Sequence, residues 1–303
     1  MSAGAATQPP LRAVEVAILA SLYQHRLLAT RQVHALHTPD ASLRFAQRRL
    51  AGLEHRGYAR HANASHGRRL WYLTAAGARH AEATSELDVP RRLLEPESAA
   101  GPLQAHTLAV NDVGIAFVLA ARARGDECGA LGWRHEVAHP AGPARGRRGT
   151  ELLIADAVLT YLVYSYEVAR ALEYRFVEVD RATLPVDRLV AKLARYARMS
   201  TYTAKGATEP AWKDHYPTLP ALLLVLDGGT RRALERRRDA VAAVAGGVAE
   251  IQAARRLSVS VGLLADLREH GPFAPIFATL TDATRAVDWL GDGPTSADVG
   301  GER

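Results

Sequence analysis

Carboxylates within apolar, strand-like segments are the residues of this 303-residue chain best suited to chemistry. Asp156 lies within the segment 152–159, and Glu178 and Asp180 lie at the end of a second such segment. Because successive side chains of a strand alternate between its two faces, Glu178 and Asp180 share one face. With Lys192 one helix later, their oxygens could hold a divalent cation. All four are candidate catalytic residues, and the three carboxylates are candidate metal ligands.

A plainer interpretation of the same residues is a network of ion pairs. In that case Glu178 and Asp180 contact Arg175, Arg181 or the basic residues at the starts of nearby helices. Glu136, at the end of an earlier strand-like segment, could add a further oxygen ligand if a metal is bound. Both interpretations stay open on the sequence alone. The only cofactor that either one implies is a divalent cation, for the catalytic interpretation.

Several other chemistries lack the residues that they need. The chain has no His-x-His motif, with which tyrosine-dependent nicking enzymes hold their metal, and no Gly-x-x-x-x-Gly-Lys-Ser/Thr loop for ATP. Its single cysteine, Cys128, excludes an internal disulfide and a zinc site built from several cysteines. Tyr196 follows Lys192 by four residues, a spacing that favours packing or a hydrogen bond to a carboxylate over a nucleophilic role.

Residues 39–74 predict a helix followed by a two-stranded hairpin. Leu43, Ala46, Leu50 and Leu53 recur at helical spacing, so we expect their face to join a hydrophobic core. Gly57 stands where a left-handed C-terminal cap belongs. Two short apolar segments follow, with a basic, flexible loop between them. A helix with a basic face followed by a hairpin with a basic tip is typical of a winged helix, which binds double-stranded DNA.

The predicted DNA contacts fall into two groups. On the helix they would read base edges, and elsewhere they would neutralise phosphates or touch the DNA backbone. The base-reading candidates are Arg44, Gln47 and Arg48. The backbone candidates are Arg31, at the start of the preceding helix, and His66, Arg68 and Arg69 of the hairpin. The alternative is that the arginine-bearing face is only solvated. Winged helices that bind only protein have the same order of elements.

The distribution of charge favours DNA over that alternative. Residues 31–80 contain nine arginines but only two acidic residues, Asp40 and Glu54, which leaves a net charge of +7. The whole chain carries +6. The rest of the chain is therefore close to neutral, and the positive charge is concentrated in the module that we predict to contact a polyanion.

The order of apolar patterns predicts an α+β protein with two domains. We expect an N-terminal winged helix-turn-helix over residues 11–84, a proline-containing linker over 85–102, a mixed α/β domain over 103–290 and a disordered tail over 291–303. In the second domain, long helices are predicted at 104–124, 186–199 and 230–250. Strands are predicted at 131–137, 152–159, 165–169, 175–179, 221–226, 258–263 and 275–280, with a basic loop at 141–149.

The termini and the composition favour a soluble cytoplasmic protein. The first ten residues lack the basic start and apolar core of a signal peptide, and we expect no apolar segment of the ~18 residues that a membrane span needs. With 48% hydrophobic and 23% charged residues, the chain has an ordinary globular composition.

Six short motifs, taken in order, resemble the replication-relaxation family of plasmids and integrated elements. They are Leu73-Thr74-x-x-Gly77, His106-x-Leu108-x-Val110-Asn111, Trp133-x-x-Glu136, Asp156-Ala157, Glu178-x-Asp180-Arg181-x-Thr183 and Lys192-Leu193-x-x-Tyr196. The chain departs from the family pattern at Ala155, where proline is expected, and at Ala182, where glycine is expected. The resemblance implies DNA binding in replication, relaxation or transfer.

The acidic segments also resemble the core of restriction-endonuclease-like enzymes. In that fold an Asp on one strand and a Glu-x-Lys on its neighbour bind magnesium. Here Asp180 occupies the usual lysine position, so Lys192 would have to act from the following helix. A restriction-endonuclease-like second domain is therefore an expectation that rests on this resemblance.

Three functions remain open on the sequence. The first, which we favour, is a DNA-binding protein of replication or transfer, whose second domain forms a homodimer or recruits replication or DNA-transfer proteins. The second is a magnesium-dependent endonuclease that uses Asp156, Glu178, Asp180 and Lys192. The third is a winged-helix transcriptional regulator, which would control its own promoter without affecting replication. No membrane partner is expected for any of them.

Overall fold

A computed structural model gives the fold of this chain. It describes residues 9–64, 67–85, 87, 104–144, 149–164, 171–282 and 284–291. The chain divides into two compact units, Met1–Gln104 and Ala105–Arg303. Most of the predicted linker (residues 86 and 88–102), nearly all of the predicted tail (292–303) and the predicted strand at 165–169 lie outside the described residues.

The first unit contains four helices and three short strands among its described residues. They are α1 (Ala13–His25), β1 (Leu28–Ala29), α2 (Thr30–His37), α3 (Leu43–His55), β2 (Ala59–Ala64), β3 (Arg68–Leu73) and α4 (Ala75–Thr84). The strands form an antiparallel sheet in the order β1-β3-β2. The predicted helices and the predicted hairpin are therefore confirmed, whereas β1 was not predicted.

Apolar side chains at helical spacing build the core of this unit. Ile18 of α1, Val33 of α2 and Leu50 of α3 are fully buried, and the burial of Leu50 confirms the prediction from helical spacing. Gly57 ends α3 with a φ of +75°, which confirms the left-handed cap. The prediction was wrong for Leu43, which remains 44% exposed at the start of α3. The first turn of α3 lies outside the core, whereas the later turns contribute Ala46, Leu50 and Leu53 to it.

A threonine fixes the junction between the hairpin and α4. The Thr74 hydroxyl accepts a hydrogen bond from the Gly77 amide at 3.1 Å, which caps the first turn of α4. The same hydroxyl donates to the Gly57 carbonyl at 2.6 Å. A side chain on Gly77 would collide with the Tyr58 carbonyl, since its Cβ would lie 1.9 Å from that oxygen. The Leu-Thr-x-x-Gly motif thus ties the hairpin to the end of α3.

The second unit is a mixed sheet with helices on both faces. Its helices are α5 (Gln104–Arg124), α6 (Val186–Thr201), α7 (Arg231–Ala245), α8 (Ala249–Ala253) and α9 (Leu264–His270), with a 3₁₀ turn at Ala211–Asp214. Its strands are β4 (Trp133–Pro143), β5 (Thr150–Val163), β6 (Ala171–Asp180), β7 (Ala221–Leu226), β8 (Val259–Leu263), β9 (Phe277–Thr279) and β10 (Ala286–Val287). Together with the first unit, this confirms the α+β class.

The seven strands lie in the order β10-β9-β8-β7-β6-β5-β4. Strands β4, β5 and β6 form an antiparallel meander, and β6, β7 and β8 run parallel with α6 and α7 as crossovers. Residues of α6 and α7 pack in one buried cluster with Phe176 of β6 and with Leu222, Leu224 and Leu226 of β7. On the opposite face, Phe117 of α5 contacts Tyr161 and Trp289 edge to face.

Helix α5 corrects the expectation about apolar segments. By length and composition alone it could cross a membrane, but 67% of its most apolar window is buried inside the protein. Gly114 of this helix lies against Trp133 so closely that a Cβ would approach the indole to 2.3 Å. Burial and this close contact identify α5 as a core helix of the second unit.

Two further boundaries differ from the predicted ones. The single helix predicted over 230–250 is interrupted after Ala245, at Gly246 and Gly247, so that α7 and α8 are separate helices. Of the basic loop predicted at 141–149, residues 141–143 belong to β4 and 145–148 lie outside the described part of the chain.

Candidate nucleic-acid interface and acidic cluster

An open cleft of about 590 Å³ lies between α3 and the hairpin of the first unit. The residues that line it are Ala29, Thr30, Arg31, Leu43, Arg44, Gln47, Arg48, Ala51, Gly67, Arg68, Arg69 and Trp71. Six of the seven predicted DNA contacts are among them. The seventh, His66, lies outside the described residues. None of the lining residues is acidic, so the cleft favours an anionic ligand.

Helix α3 presents two rows of side chains to this cleft. Leu43, Gln47 and Ala51 follow one another at intervals of four residues, and Arg44 and Arg48 form the neighbouring row. All five are exposed. The opposite side of the helix carries Ala46, Leu50 and Leu53, which are buried. The amphipathic pattern therefore turns both of these rows outward, including Gln47, Arg44 and Arg48.

The hairpin brings two arginines to the other wall. Its strands pair from Ala59 with Leu73 to Ala64 with Arg68, and Gly67 adopts a φ of +68° in the connecting turn. Arg68 and Arg69 are therefore held at the start of β3, at the end of the hairpin, and both are exposed.

A buried tryptophan positions the start of α2, which forms a third side of the cleft. Trp71 of β3 pairs with Leu28 of β1, and its indole donates a hydrogen bond to the Thr30 hydroxyl at 3.0 Å. Thr30 begins α2, so this contact fixes the first turn of α2 beside the hairpin. Arg31 consequently joins the same cleft as Arg68, although 37 positions separate them in the sequence.

Other arginines of residues 31–80 stabilise the fold instead. Arg49 forms an ion pair with Glu15 of α1 at 3.3 Å and lies over the Phe45 ring, 5.2 Å from its centroid. Arg56 donates a hydrogen bond to the Pro9 carbonyl at 2.7 Å. The charge pattern alone cannot separate these arginines from Arg48, because neighbouring helical positions differ only in the direction that they face.

Asp156 and Glu178 of the second unit come together where strands β5 and β6 separate. Strand β5 pairs with β6 only from Ala157 to Val163, and the first half of β5 pairs with β4 alone. Asp156 lies at this fork. Its carboxylate accepts a hydrogen bond from the Val179 amide at 2.9 Å. The side chain thus bonds to the backbone of β6 just beyond the point where the pairing of β5 with β6 ends.

Lys192 of α6 connects two of the predicted carboxylates. Its ammonium contacts Asp156 Oδ1 at 3.0 Å and also forms an ion pair with Glu178. Tyr196, one turn later on α6, donates a hydrogen bond to Glu178 Oε1 at 2.5 Å. The prediction that Tyr196 bonds to a neighbouring carboxylate is confirmed. The second oxygen of Asp156, Oδ2, contacts His106 of α5 at 3.3 Å.

Burial and charge act in opposite directions on these groups. Burial alone would raise the pKa of Asp156, but the hydrogen bond from His106 and the charge of Lys192 hold it well below its usual range. Burial and the nearby Asp156 raise the pKa of Glu178 above its usual range, and Lys192 opposes that shift only in part. Burial tends to lower the pKa of Lys192, yet the charges of Glu178 and Asp156 raise it. The lysine is therefore charged at neutral pH.

Asp180 belongs to a different ion pair. It lies on the same face of β6 as Glu178, as alternation predicts, but its carboxylate contacts Arg237 of α7, with one distance of 3.1 Å. This contact agrees with the plainer interpretation of an ion-pair network, with a partner that was not predicted. Arg181, one of the predicted partners, contacts Asp227 instead.

Arg175 and Glu136 also lie apart from the Lys192 contacts. Arg175 pairs with Glu173 at 2.7 Å. Glu136 is exposed, and its backbone has a φ of +52°, unusual for a residue with a side chain.

The described residues do not form a ready-made metal site. Within them, no three His, Cys, Asp or Glu side chains lie close enough together to hold a metal ion. Asp156 and Glu178 are brought together, but a lysine ammonium lies between them, and Asp180 is engaged elsewhere. His106 was part of a sequence motif but was not predicted as a site residue. Its contact with Asp156 depends on how α5 packs, and no local pattern signals it.

The comparisons with known proteins give one match. The family model described as replication-relaxation matches residues 19–210, which include all of the described elements from α2 to α6. The comparison with curated proteins and the comparison with solved structures each gave no match. The match covers more than half of the chain and includes the cleft, the hairpin and the acidic cluster. The chain therefore belongs to the replication-relaxation family.

Proposed function

We propose that the chain binds double-stranded DNA through the cleft of its first unit, as a winged-helix protein in the replication, relaxation or transfer of a plasmid or integrated element. Family membership supports a role connected with replication. One observation carries the DNA-binding proposal. Six of the residues that charge and helical spacing predict as DNA contacts, from α2, α3 and the hairpin, line a single cleft.

In this proposal α3 enters the major groove of the duplex. Arg44 and Arg48 donate paired hydrogen bonds to guanine, and Gln47 pairs in the same way with adenine. The helix is suited to this position because its outer face carries no bulky side chain at Ala51. Arg31, Arg68 and Arg69 contact phosphates on either side of the groove and set the position of the helix without reading sequence.

The second unit is proposed to form a homodimer or to recruit replication or DNA-transfer proteins. One winged helix covers few base pairs, so useful specificity needs two copies on a repeated or palindromic site. The mass of the complex on a duplex with two half-sites gives the number of chains bound and so measures this stoichiometry. A complex that contains one chain per two-half-site duplex at saturation would contradict dimeric binding.

The proposal is tested by removing the base-reading arginines from the full chain. Duplexes retained by the wild-type chain from a random-sequence pool serve as the preferred sites. We expect R44A/R48A to bind them at least tenfold more weakly, because each paired contact to guanine is worth about 1–3 kcal/mol. Binding to unrelated duplexes should change much less. Fluorescence anisotropy with labelled duplexes measures both affinities.

Arg79 provides the matched control for this test. It is an exposed arginine of the same basic region but does not line the cleft. R79A should keep the wild-type preference. If R44A/R48A lost affinity equally for all sequences, α3 would contact the backbone only, and base reading would be wrong.

A second candidate function is cleavage of DNA at the acidic cluster. The observation in its favour is that Asp156, Glu178 and Lys192 meet where β5 and β6 separate. The meander β4–β6, followed by α6 and the parallel strand β7, supports a restriction-endonuclease-like interpretation of this unit. As arranged, the cluster lacks a third metal ligand, so we derive no metal-dependent step from it.

Incubation with supercoiled plasmid and Mg²⁺ tests this second candidate. The proposal predicts nicked or linear product with the wild-type chain and none with D156A or K192A. D214A is the control, because Asp214 is exposed on the 3₁₀ turn and lies outside the cluster. Absence of product with the wild-type chain, or equal cleavage by D156A, would leave the cluster as an ion-pair network only.

A further inference from the structure

Leu43 is an apolar residue in a basic cleft. Its spacing predicts a core position, yet it is 44% exposed and lines the cleft beside Arg44 and Gln47. The face of α3 that packs in the core is formed without it by Ala46, Leu50 and Leu53, which are fully buried. Because it lies among the basic residues of the cleft, this side chain offers an apolar contact to a ligand that carries an apolar group.

Duplex DNA has one such group in the major groove. The 5-methyl of thymine is the only apolar substituent among the base edges that are exposed there. Leu43 lies in the first turn of α3, and in helix-turn-helix proteins the N-terminal residues of the recognition helix are those that contact base edges. The chemistry of the side chain and its position on the helix therefore point to the same partner.

We propose that Leu43 is a specificity-determining residue that contacts the 5-methyl group of a thymine. The inference rests on the proposed DNA-binding function and adds the base that this side chain selects. Leu43 and Gln47 are separated by four residues, so their Cβ atoms lie about 5–6 Å apart on one face. Base pairs are spaced by about 3.4 Å along the duplex. The two residues thus face base pairs one or two steps apart, and the preferred site contains a thymine within two base pairs of the adenine that Gln47 reads.

Replacement of thymine by deoxyuridine tests the inference, because it removes the methyl group and leaves the pairing unchanged. Duplexes selected by the full chain from a random-sequence pool are made with each thymine replaced in turn. With the wild-type chain we expect one position per half-site at which the affinity falls about fourfold, the effect of withdrawing one methyl group from an apolar contact. The L43A variant should bind thymine and deoxyuridine duplexes equally at that position.

Leu152 supplies the control substitution. It is a leucine of similar exposure, 49%, but it lies on β5 in the second unit. L152A should keep the wild-type discrimination. The melting temperature of L43A should stay close to that of the wild-type chain, which separates a lost contact from a lost fold.

The possible failures are distinguishable. If the wild-type chain bound selected duplexes but no thymine position responded, or if L43A kept the same response, the role of Leu43 would be wrong and DNA binding would stand. If the wild-type chain retained no duplex at all, the proposed function would fail and this inference with it.

Discussion

His139 of β4 is a buried histidine whose protonation should affect the stability of the second unit. Its Nε2 shares a hydrogen bond of 2.7 Å with the Tyr216 hydroxyl, and its ring packs against Phe176. Burial, followed by the charge of His215, lowers the pKa of His139 to about 4. In the unfolded chain the same residue has the ordinary histidine pKa of about 6.5.

This shift predicts a loss of stability in acid. Between pH 6.5 and 4 the unfolded chain binds a proton that the folded chain does not, so the free energy of unfolding falls as the pH falls. We expect His139 to contribute on the order of 1 kcal/mol per pH unit across this range. Urea unfolding at pH 7, 5.5 and 4.5 should show a smaller acid loss for H139Q. H270Q, which changes an exposed histidine at the end of α9, is the control, and parallel curves for H139Q and the wild-type chain would contradict the prediction.

Ala182 occupies a position where the family pattern calls for glycine. Its φ of +55° lies in the left-handed region, where a Cβ is unfavourable by about 1–2 kcal/mol. A182G should therefore raise the free energy of unfolding, by about 1 kcal/mol or less once the greater freedom of glycine in the unfolded chain is included. A191G, at an exposed position within α6, should lower it by a similar amount. A destabilising A182G would show that the turn does not strain alanine.

Single residues mark the limit of prediction from sequence. The outward positions of Arg44 and Arg48 followed from helical spacing, because periodicity fixes which side of α3 faces outward. The same periodicity placed Leu43 in the core, since it cannot show where the core ends along the helix axis. The contacts of His106 with Asp156 and of Arg237 with Asp180 join residues 50 or more positions apart. Such pairs depend on how helices dock on the sheet.

At the scale of elements, the hairpin β2–β3 is the part of the cleft that should bind without regard to sequence. R68A/R69A should weaken binding to every duplex by a similar factor. It should also flatten the salt dependence, because about 0.9 counterion is released for each phosphate that is neutralised. The slope of log K against log salt should therefore become less steep by about 2. Anisotropy titrations at several salt concentrations give both quantities.

The same titrations contain the test of the hairpin's role. Unchanged affinity and slope in R68A/R69A would remove the hairpin from the interface. A loss confined to the preferred duplex would instead show that the hairpin reads bases. R79A should match the wild-type slope, because Arg79 lies outside the cleft.

Long elements were predicted because their patterns extend over several turns or several alternations. Helix α6 and strand β7 begin at their predicted residues, and β7 also ends at its predicted residue. The two-residue strands β1 and β10 were missed, since so short a segment has no period to detect. Strand β1 exists because Leu28 and Ala29 find partners on β3. Tertiary pairing, not local sequence, creates such elements.

At the scale of the whole molecule, charge is distributed unevenly along the chain. Residues 31–80 carry +7, whereas the chain as a whole carries +6. The cleft in that region gathers five arginines and no acidic residue among its lining side chains. Long-range attraction of a polyanion should therefore act on the first unit more than on the near-neutral remainder of the chain.

The central claim is that this cleft binds the backbone and bases of duplex DNA. The most direct test is the affinity of the full wild-type chain for duplexes from its own flanking DNA, measured from about 50 to 200 mM salt. With Arg31, Arg68 and Arg69 on phosphates, we predict that log K falls against log salt with a slope of about −3. Failure to retain any duplex at the lowest salt concentration would contradict the account.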